Sequence, residues 1–177
     1  MQKNKISFAN IQGFTLIELL IVIAVMAILT TVVFVALNPL ARFQDSRNSR
    51  RWSDVNAMLG AIKLDQVDNG GSYLPSITAV SAGANYIIGA NGSSKNCSTL
   101  VCGVVVAGCV NIAPLVTEGY LPKMPFDPND AEVEEADGDI NISKYYLRVE
   151  ANSAVTIGAC SSEKGSAPAA PTIEVTR

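Results

Sequence analysis

The residues with the clearest chemistry lie together near the N-terminus, in the stretch Gly13-Phe14-Thr15-Leu16-Ile17-Glu18. Gly13 places an unhindered peptide bond at the start of an apolar run, which suits cleavage by a protease at the membrane surface. Cleavage there would create an α-amino group on Phe14, about one helical turn from the Glu18 carboxylate. Because an isolated charge in hydrocarbon costs ~2.5–3.5 kcal/mol, Glu18 needs a partner or must reach water. The pattern predicts a processing site followed by an ion pair, formed with a neighbouring subunit's amino group, that fixes subunit register.

The element that positions these residues is an apolar helix. Residues 14–37 carry a single charge, Glu18, and as a helix they would be about 36 Å long, enough to cross a bilayer core of ~30 Å. Residues 1–13 form a short basic segment that contains Lys3 and Lys5. No small-residue cleavage site follows the apolar run, as it would in an ordinary secretory signal peptide. The sequence therefore predicts a leader at 1–13 and a transmembrane or filament-core helix at 14–37.

Helical periodicity returns after Asn38-Pro39, a pair that favours a break in the helix. Positions on one face recur at intervals of three and four, namely Trp52, Val55, Leu59, Ile62 and Gln66 or Val67. This spacing predicts an amphipathic spine over 38–71 that ends at the glycines following Asn69. Short apolar runs then predict a β-rich head over 72–160, and the Ser-, Ala- and Pro-containing end predicts a flexible tail over 161–177. The expected fold is α+β, with one long helix, broken near Pro39, packed on a small antiparallel sheet.

The stretch from Gly13 to Leu29 closely resembles the class III signal of type IV pilins and type II secretion pseudopilins. The likeness covers the basic leader, the cleavage glycine, the aromatic first mature residue Phe14, the acid Glu18 and the apolar run. It implies cleavage after Gly13 by a prepilin peptidase, methylation of the Phe14 amino group and a role for Glu18 in subunit assembly. The chain departs from the pattern common in these families at Asp65, where an aromatic residue is frequent.

The resemblance implies a structural subunit rather than an enzyme. The expected partners are identical subunits in a helical filament, a prepilin peptidase, an assembly ATPase and a platform protein. The expected location is the cytoplasmic membrane, as a single-pass precursor with the head outside, and then an extracellular pilus for adhesion, motility or DNA uptake. Two alternatives stay open, a major pseudopilin of a type II secretion system and a membrane-tethered binding protein that never polymerises.

Composition adds expectations about partners, catalysis, disulfides and metal ligands. The net charge of −3 argues against nucleic-acid binding, and the absence of histidine leaves no catalytic constellation. Behind a membrane signal, four cysteines predict disulfides whose pairing the sequence leaves open: Cys97, Cys102, Cys109 and Cys160. An acidic run offers candidate calcium ligands, with a solvated loop as the alternative: Asp127, Asp130, Asp137 and Asp139. No other cofactor is expected.

Four arginines follow the apolar run closely: Arg42, Arg47, Arg50 and Arg51. They suit contacts to lipid headgroups, to acidic patches of a neighbouring subunit, to DNA along a filament, or to nearby acids such as Asp45 and Asp54.

Overall fold

The computed structural model describes residues 13–89, 106–129 and 142–177. The chain divides into two compact units, residues 1–39 and residues 40–177. In the first unit, helix α1 spans Leu16–Leu37 and buries none of its residues. It ends at Asn38, a non-glycine residue with φ 41° and ψ 70°, immediately before Pro39. The left-handed backbone at Asn38 provides the break that the Asn-Pro pair predicted.

The second unit begins with helix α2, Pro39–Asp68. Its core face carries Val55, Leu59 and Ile62, as the spacing predicted, together with Met58, and all four are at most 1% exposed. Trp52 and Val67, which the same spacing placed on this face, are instead 39% and 74% exposed. Gly70 and Gly71 end the helix at positive φ, and the Gly71 amide donates to the Gln66 carbonyl at 2.7 Å. This αL termination satisfies carbonyls that the last helical turn leaves without intrahelical partners.

A five-stranded sheet follows, in the order β2-β1-β3-β4-β5. The strands are β1 Asn85–Gly89, β2 Val106–Asn111, β3 Ile142–Val149, β4 Val155–Ala159 and β5 Glu174–Thr176, with short helices α3 Pro75–Thr78 and α4 Pro114–Thr117 between them. The inner face of the sheet contributes Ile88, Tyr145 and Ile157 to one core shared with α2. The Tyr145 hydroxyl also donates to Asp54 Oδ2 of α2 at 2.8 Å.

The α+β prediction is confirmed, but the sheet is mixed rather than wholly antiparallel. Strands β1 and β2 run parallel, whereas β1–β3, β3–β4 and β4–β5 are antiparallel. A parallel pair needs a crossover connection rather than a tight hairpin. The sequence reasoning did not predict β1, so it could not place β2 beside it.

The prediction of a flexible tail over 161–177 is wrong for the segment from Glu163 onward. Residues 174–176 form β5 on the edge of the sheet, and Ile173 is 1% exposed in the core. Upstream, Gly165 adopts φ 58°, and an added Cβ would overlap the Asp45 carboxylate. Gly165, one of the residues in the segment predicted to be flexible, therefore permits a close approach to α2 instead.

Asp65, the residue that departs from the family pattern, lies on the core side of α2 and is 1% exposed. Its Oδ1 accepts a hydrogen bond from Asn69 Nδ2 at 2.8 Å. Its Oδ2 has no hydrogen-bond partner among the described residues.

Candidate functional site

The junction between Gly13 and Phe14 is sterically open. Among the described residues, no atom beyond Gly13 and its chain neighbours lies within 4 Å of the place where a Cβ on Gly13 would sit, and Phe14 is 89% exposed. Both residues precede α1 and have no regular secondary structure. An uncovered peptide bond outside regular secondary structure is accessible to a protease, so the geometry suits cleavage at this position. Leader residues 1–12 lie outside the described residues.

Glu18 is held by Thr15 in a capping box at the start of α1. The Thr15 amide and the Thr15 hydroxyl both donate to Glu18 Oε2, at 2.9 and 2.8 Å, while the Glu18 amide donates to Thr15 Oγ1 at 3.3 Å. This arrangement satisfies helix N-terminal donors and places a negative charge at the positive end of the helix dipole. In the uncleaved chain, Glu18 therefore already has a partner within its own helix.

Thr15 is the functional residue that the sequence reasoning missed. Its signal was present, since threonine followed by glutamate three residues later is the sequence signature of a capping box. The predicted ion pair between Glu18 and a Phe14 amino group involves cleaved chains, so it stays a prediction. The structure adds that Glu18 is oriented before any cleavage takes place.

Helix α1 presents apolar side chains on every side. Residues around its circumference, such as Leu19, Ile21 and Val32, are 62%, 55% and 63% exposed. Its two polar side chains beyond Glu18 are satisfied locally, because Thr30 and Thr31 donate their hydroxyls to the Met26 and Ala27 carbonyls at 2.7 and 2.9 Å. Within the described residues this is the one run that is long and apolar enough to cross a membrane. Such a surface requires lipid or other helices around it.

A second uncovered surface runs along α2, opposite its core face, and we call it the α2 stripe. Its members follow one another at alternating intervals of three and four residues, the spacing of one side of a helix that packs against another helix. All are exposed except Gly60, which is half-buried. The large apolar members Phe43, Leu64 and Val67 are 65%, 58% and 74% exposed. The stripe comprises Phe43, Ser46, Arg50, Ser53, Ala57, Gly60, Leu64 and Val67.

The four arginines that follow α1 separate into two pairs. Arg51 is fully buried and forms a two-point ion pair with Asp127, through Nε and Nη2, each at 2.8 Å. Its Nη1 donates to Glu163 Oε2 at 2.9 Å, and Arg47 Nε donates to the same oxygen at 2.6 Å. The Arg47 guanidinium is the main cause that lowers the pKa of Glu163 to about 2. The other pair, Arg42 and Arg50, is exposed.

Asn48 completes the attachment of the C-terminal segment to α2. Its amide nitrogen donates to the Glu163 carbonyl at 2.6 Å, and its Oδ1 accepts from the Glu163 amide at 3.0 Å. Farther along the segment, the Gly165 amide donates to Gln44 Oε1, and the Ser166 amide donates to Asp45 Oδ1, each at 3.0 Å. These backbone contacts align the C-terminal segment with the first half of α2. No local sequence signal indicated this attachment.

The remaining predicted site residues are only partly described. Asp127 is 1% exposed, and both of its carboxylate oxygens bind Arg51, so a cation at this residue would compete with a buried guanidinium. The other calcium candidates, Asp130, Asp137 and Asp139, lie outside the described residues, so calcium binding stays a prediction. Within the described ranges, no group of three or more acidic or cysteine side chains is placed to hold a metal ion.

Two of the four cysteines belong to the described part of the chain. Cys109 on β2 and Cys160, just after β4, are both disulfide-bonded. Cys97 and Cys102 lie outside the described residues. The pairing of the four cysteines stays open.

Comparison with known proteins identifies the N-terminal segment. Residues 8–34 match the family model described as the prokaryotic N-terminal methylation motif, which is the class III signal of type IV pilins and pseudopilins. No curated protein and no solved structure matches the chain. The motif supports a protein of the pilin or pseudopilin type, made as a membrane-anchored precursor.

Proposed function

We propose that this pilin-like chain is the structural subunit of a type IV pilus, cleaved between Gly13 and Phe14 and polymerised through its helices. One observation carries the proposal. Helix α1 has no buried residue, yet it follows an open cleavage junction inside a matched methylation motif. A helix of this kind is stable in lipid as a precursor, and equally stable when other α1 helices replace the lipid around it.

The capping box supports a specific step in assembly. Cleavage leaves the new Phe14 amino group one residue from Thr15, whose amide and hydroxyl hold the Glu18 carboxylate. In the proposed filament, Glu18 accepts the methylated amino group of a neighbouring subunit while it remains oriented by Thr15. Within the low-dielectric core of a helix bundle, such a charge-assisted hydrogen bond is favoured strongly over an unpaired carboxylate.

The α2 stripe supplies a second packing surface for the same assembly. Its alternating three- and four-residue spacing suits helix–helix packing, and Gly60 and Ala57 permit close backbone approach. The proposed partner is the apolar α1 of another copy, because that helix has the complementary surface and the same need to be covered. Leu64 and Val67 would then lose the exposure they have in the isolated subunit.

The test is the composition of fibres on cells that produce the chain. Fibres sheared from the surface are expected to consist mostly of this protein and to begin at methylated Phe14. Glu18→Ala is expected to abolish fibres while the precursor still accumulates in the membrane, and Glu118→Ala serves as the matched control because Glu118 is an exposed acid of the head.

Three results would count against the proposal. Normal fibre numbers with Glu18→Ala would show that the chain does not assemble through this carboxylate. Surface fibres that lack the chain altogether, with a cleaved and methylated subunit confined to the cell envelope, would favour a pseudopilin. A chain that retains Met1 in assembled fibres would contradict the processing step.

A further inference from the structure

The two arginines that the fold leaves uncommitted lie close to the end of α1. Arg47 and Arg51 are engaged by Glu163 and Asp127. Arg50 is 58% exposed in its side chain, and its nearest ion-pair partner, Asp54, is 3.9 Å away. Arg42 is exposed and makes no ion pair within the described part of the chain. These two positive charges are therefore available to an external partner.

Two large apolar side chains are interleaved with these arginines. Leu40 is 64% exposed and Phe43 is 65% exposed, although both belong to the same unit as the packed core. We call Leu40, Arg42, Phe43 and Arg50 the α2 entry patch. Basic and apolar residues mixed in this way are typical of a protein surface that lies in the headgroup layer of a membrane.

Covalent continuity limits how far the patch can be from the proposed membrane span. Leu40 is three residues after Leu37, the last residue of α1, so at 3.8 Å per residue their Cα atoms are at most about 11 Å apart. The headgroup layer on each side of the hydrocarbon core is about 5–8 Å thick. Phe43 is one helical turn farther on, and Arg50 follows about 10 Å beyond Phe43 along α2, with a long side chain that can reach back.

We propose that the α2 entry patch docks onto a membrane surface rich in anionic phospholipid headgroups while the chain is still in the bilayer. Arg42 and Arg50 bind lipid phosphates, and Leu40 and Phe43 insert among the upper acyl segments. The inference rests on the proposed function only in that α1 is taken to be the membrane anchor. Docking would fix the orientation of the head over the bilayer. It would also cover the Phe43 end of the α2 stripe until the subunit leaves the membrane.

The experiment places a fluorescent reporter in the patch of the full chain. The chain has a single tryptophan, Trp52, so a Phe43→Trp, Trp52→Phe variant reports from position 43 alone. The protein is reconstituted into vesicles of phosphatidylcholine, with or without phosphatidylglycerol. With the anionic lipid we expect a blue-shifted emission and stronger quenching by brominated lipids, both reversed by added salt because surface electrostatics are screened.

Charge variants in the reporter background test the arginines directly. Arg42→Gln and Arg50→Gln should each lower the ratio of docked to undocked chain about fivefold in anionic vesicles, whereas the two lysine variants keep most of the response. Arg177→Gln is the matched control. Arg177 lies at the other end of α2 from the patch. Its backbone pairs with Val155, and the nearby Ser153 carbonyl accepts a hydrogen bond from Tyr73, which follows the C-terminal end of α2.

The outcomes separate this inference from the proposed function. Equal emission in the two kinds of vesicle, with the chain floating with both, would overturn docking and leave the membrane anchor intact. Failure to float with any vesicle would overturn both. A response that follows protein density in the bilayer, rather than the anionic fraction, would overturn lipid docking and assign the patch to a second copy of the chain.

Discussion

The buried ion pair between Arg51 and Asp127 offers the sharpest test of what holds the head onto α2. Arg51 is fully buried, and its guanidinium binds the carboxylates of Asp127 and Glu163 and the Asn48 side chain. In Arg51→Met, the volume and helix propensity are roughly kept, but Asp127 stays buried at 1% exposure without its cation. The Asn129 amide, which donates to Asp127 Oδ1 at 2.9 Å, is too little compensation for a buried carboxylate.

The expected loss of unfolding free energy is about 3–5 kcal/mol, the usual cost of leaving one partner of a buried pair behind. For a domain of this size that is a fall in Tm of roughly 10–15 °C. The double variant Arg51→Met, Asp127→Leu should be more stable than Arg51→Met, because it removes the orphaned charge as well. Arg50→Met, at the exposed neighbouring position, should change stability by about 0.5 kcal/mol or less.

The assay is thermal and denaturant unfolding of the full chain in detergent micelles, followed by near-ultraviolet circular dichroism. If Arg51→Met shifted the midpoint no more than Arg50→Met, the buried pair would not be what fastens the head to α2. If the double variant lost as much stability as the two single substitutions added together, the cost would come from lost packing rather than from an unpaired carboxylate.

Three further predictions address other contacts. Gly158→Ala should destabilise the head by about 1–3 kcal/mol, because its Cβ would overlap the Tyr146 ring. Gly108→Ala is the control, because its Cβ would meet a tyrosine ring at an ordinary distance of 3.7 Å. Equal unfolding midpoints for the two variants would refute the clash. The pKa of Glu163 is about 2 in the folded chain against an ordinary 4.5, so its contribution to stability is complete above pH 4.5 and is lost as the pH falls towards 2. Between pH 4.5 and 2, the denaturant midpoint should fall less steeply with pH for Glu163→Gln than for the unchanged chain. Equal slopes for the two proteins would contradict the lowered pKa of Glu163. Thr15→Val should lower the stability of the first turn of α1 by about 0.5–2 kcal/mol, measured as faster amide hydrogen exchange in micelles. Thr15→Ser should keep the slow exchange, because serine also caps a helix. Identical exchange in both variants would exclude the capping box.

Much of the candidate site could be predicted from sequence because its contacts are local. The cleavage junction, the single acid Glu18 and the apolar run are adjacent in the chain, and the capping partner Thr15 is only three residues from Glu18. The amphipathic face of α2 could also be predicted, since Val55, Leu59 and Ile62 repeat with the helical period. The apolar or alternating runs at residues 144–150 and 154–159 predicted strands where β3 and β4 lie. Strands β1 and β5 were not predicted, because they are short and weakly patterned.

Other features depended on partners far along the chain. The sequence suggested several fates for the post-span arginines. Helical spacing places Arg51, and not Arg50, one turn before Val55 on the apolar face. The acids that neutralise Arg51 could not be identified, because Asp127 is 76 residues away and Glu163 is 112 residues away, and only the fold brings both to one side of α2. The tail was mistaken for a flexible segment for the same reason, since its ordering contacts are with α2 and β4 rather than within itself.

The sequence by itself determined the membrane-length helix, its break at Asn38-Pro39, the methylation motif and the amphipathic spine, because each depends on residues within a few positions of one another. Only the tertiary structure decided the parallel placement of β2, the attachment of the C-terminal segment and the division of the arginines into a pair bound by acids and an exposed pair. Helical and strand periodicity specify which face of an element is buried. They do not specify which distant residue meets that face, because that depends on the path of the whole chain and on which buried charges must be neutralised.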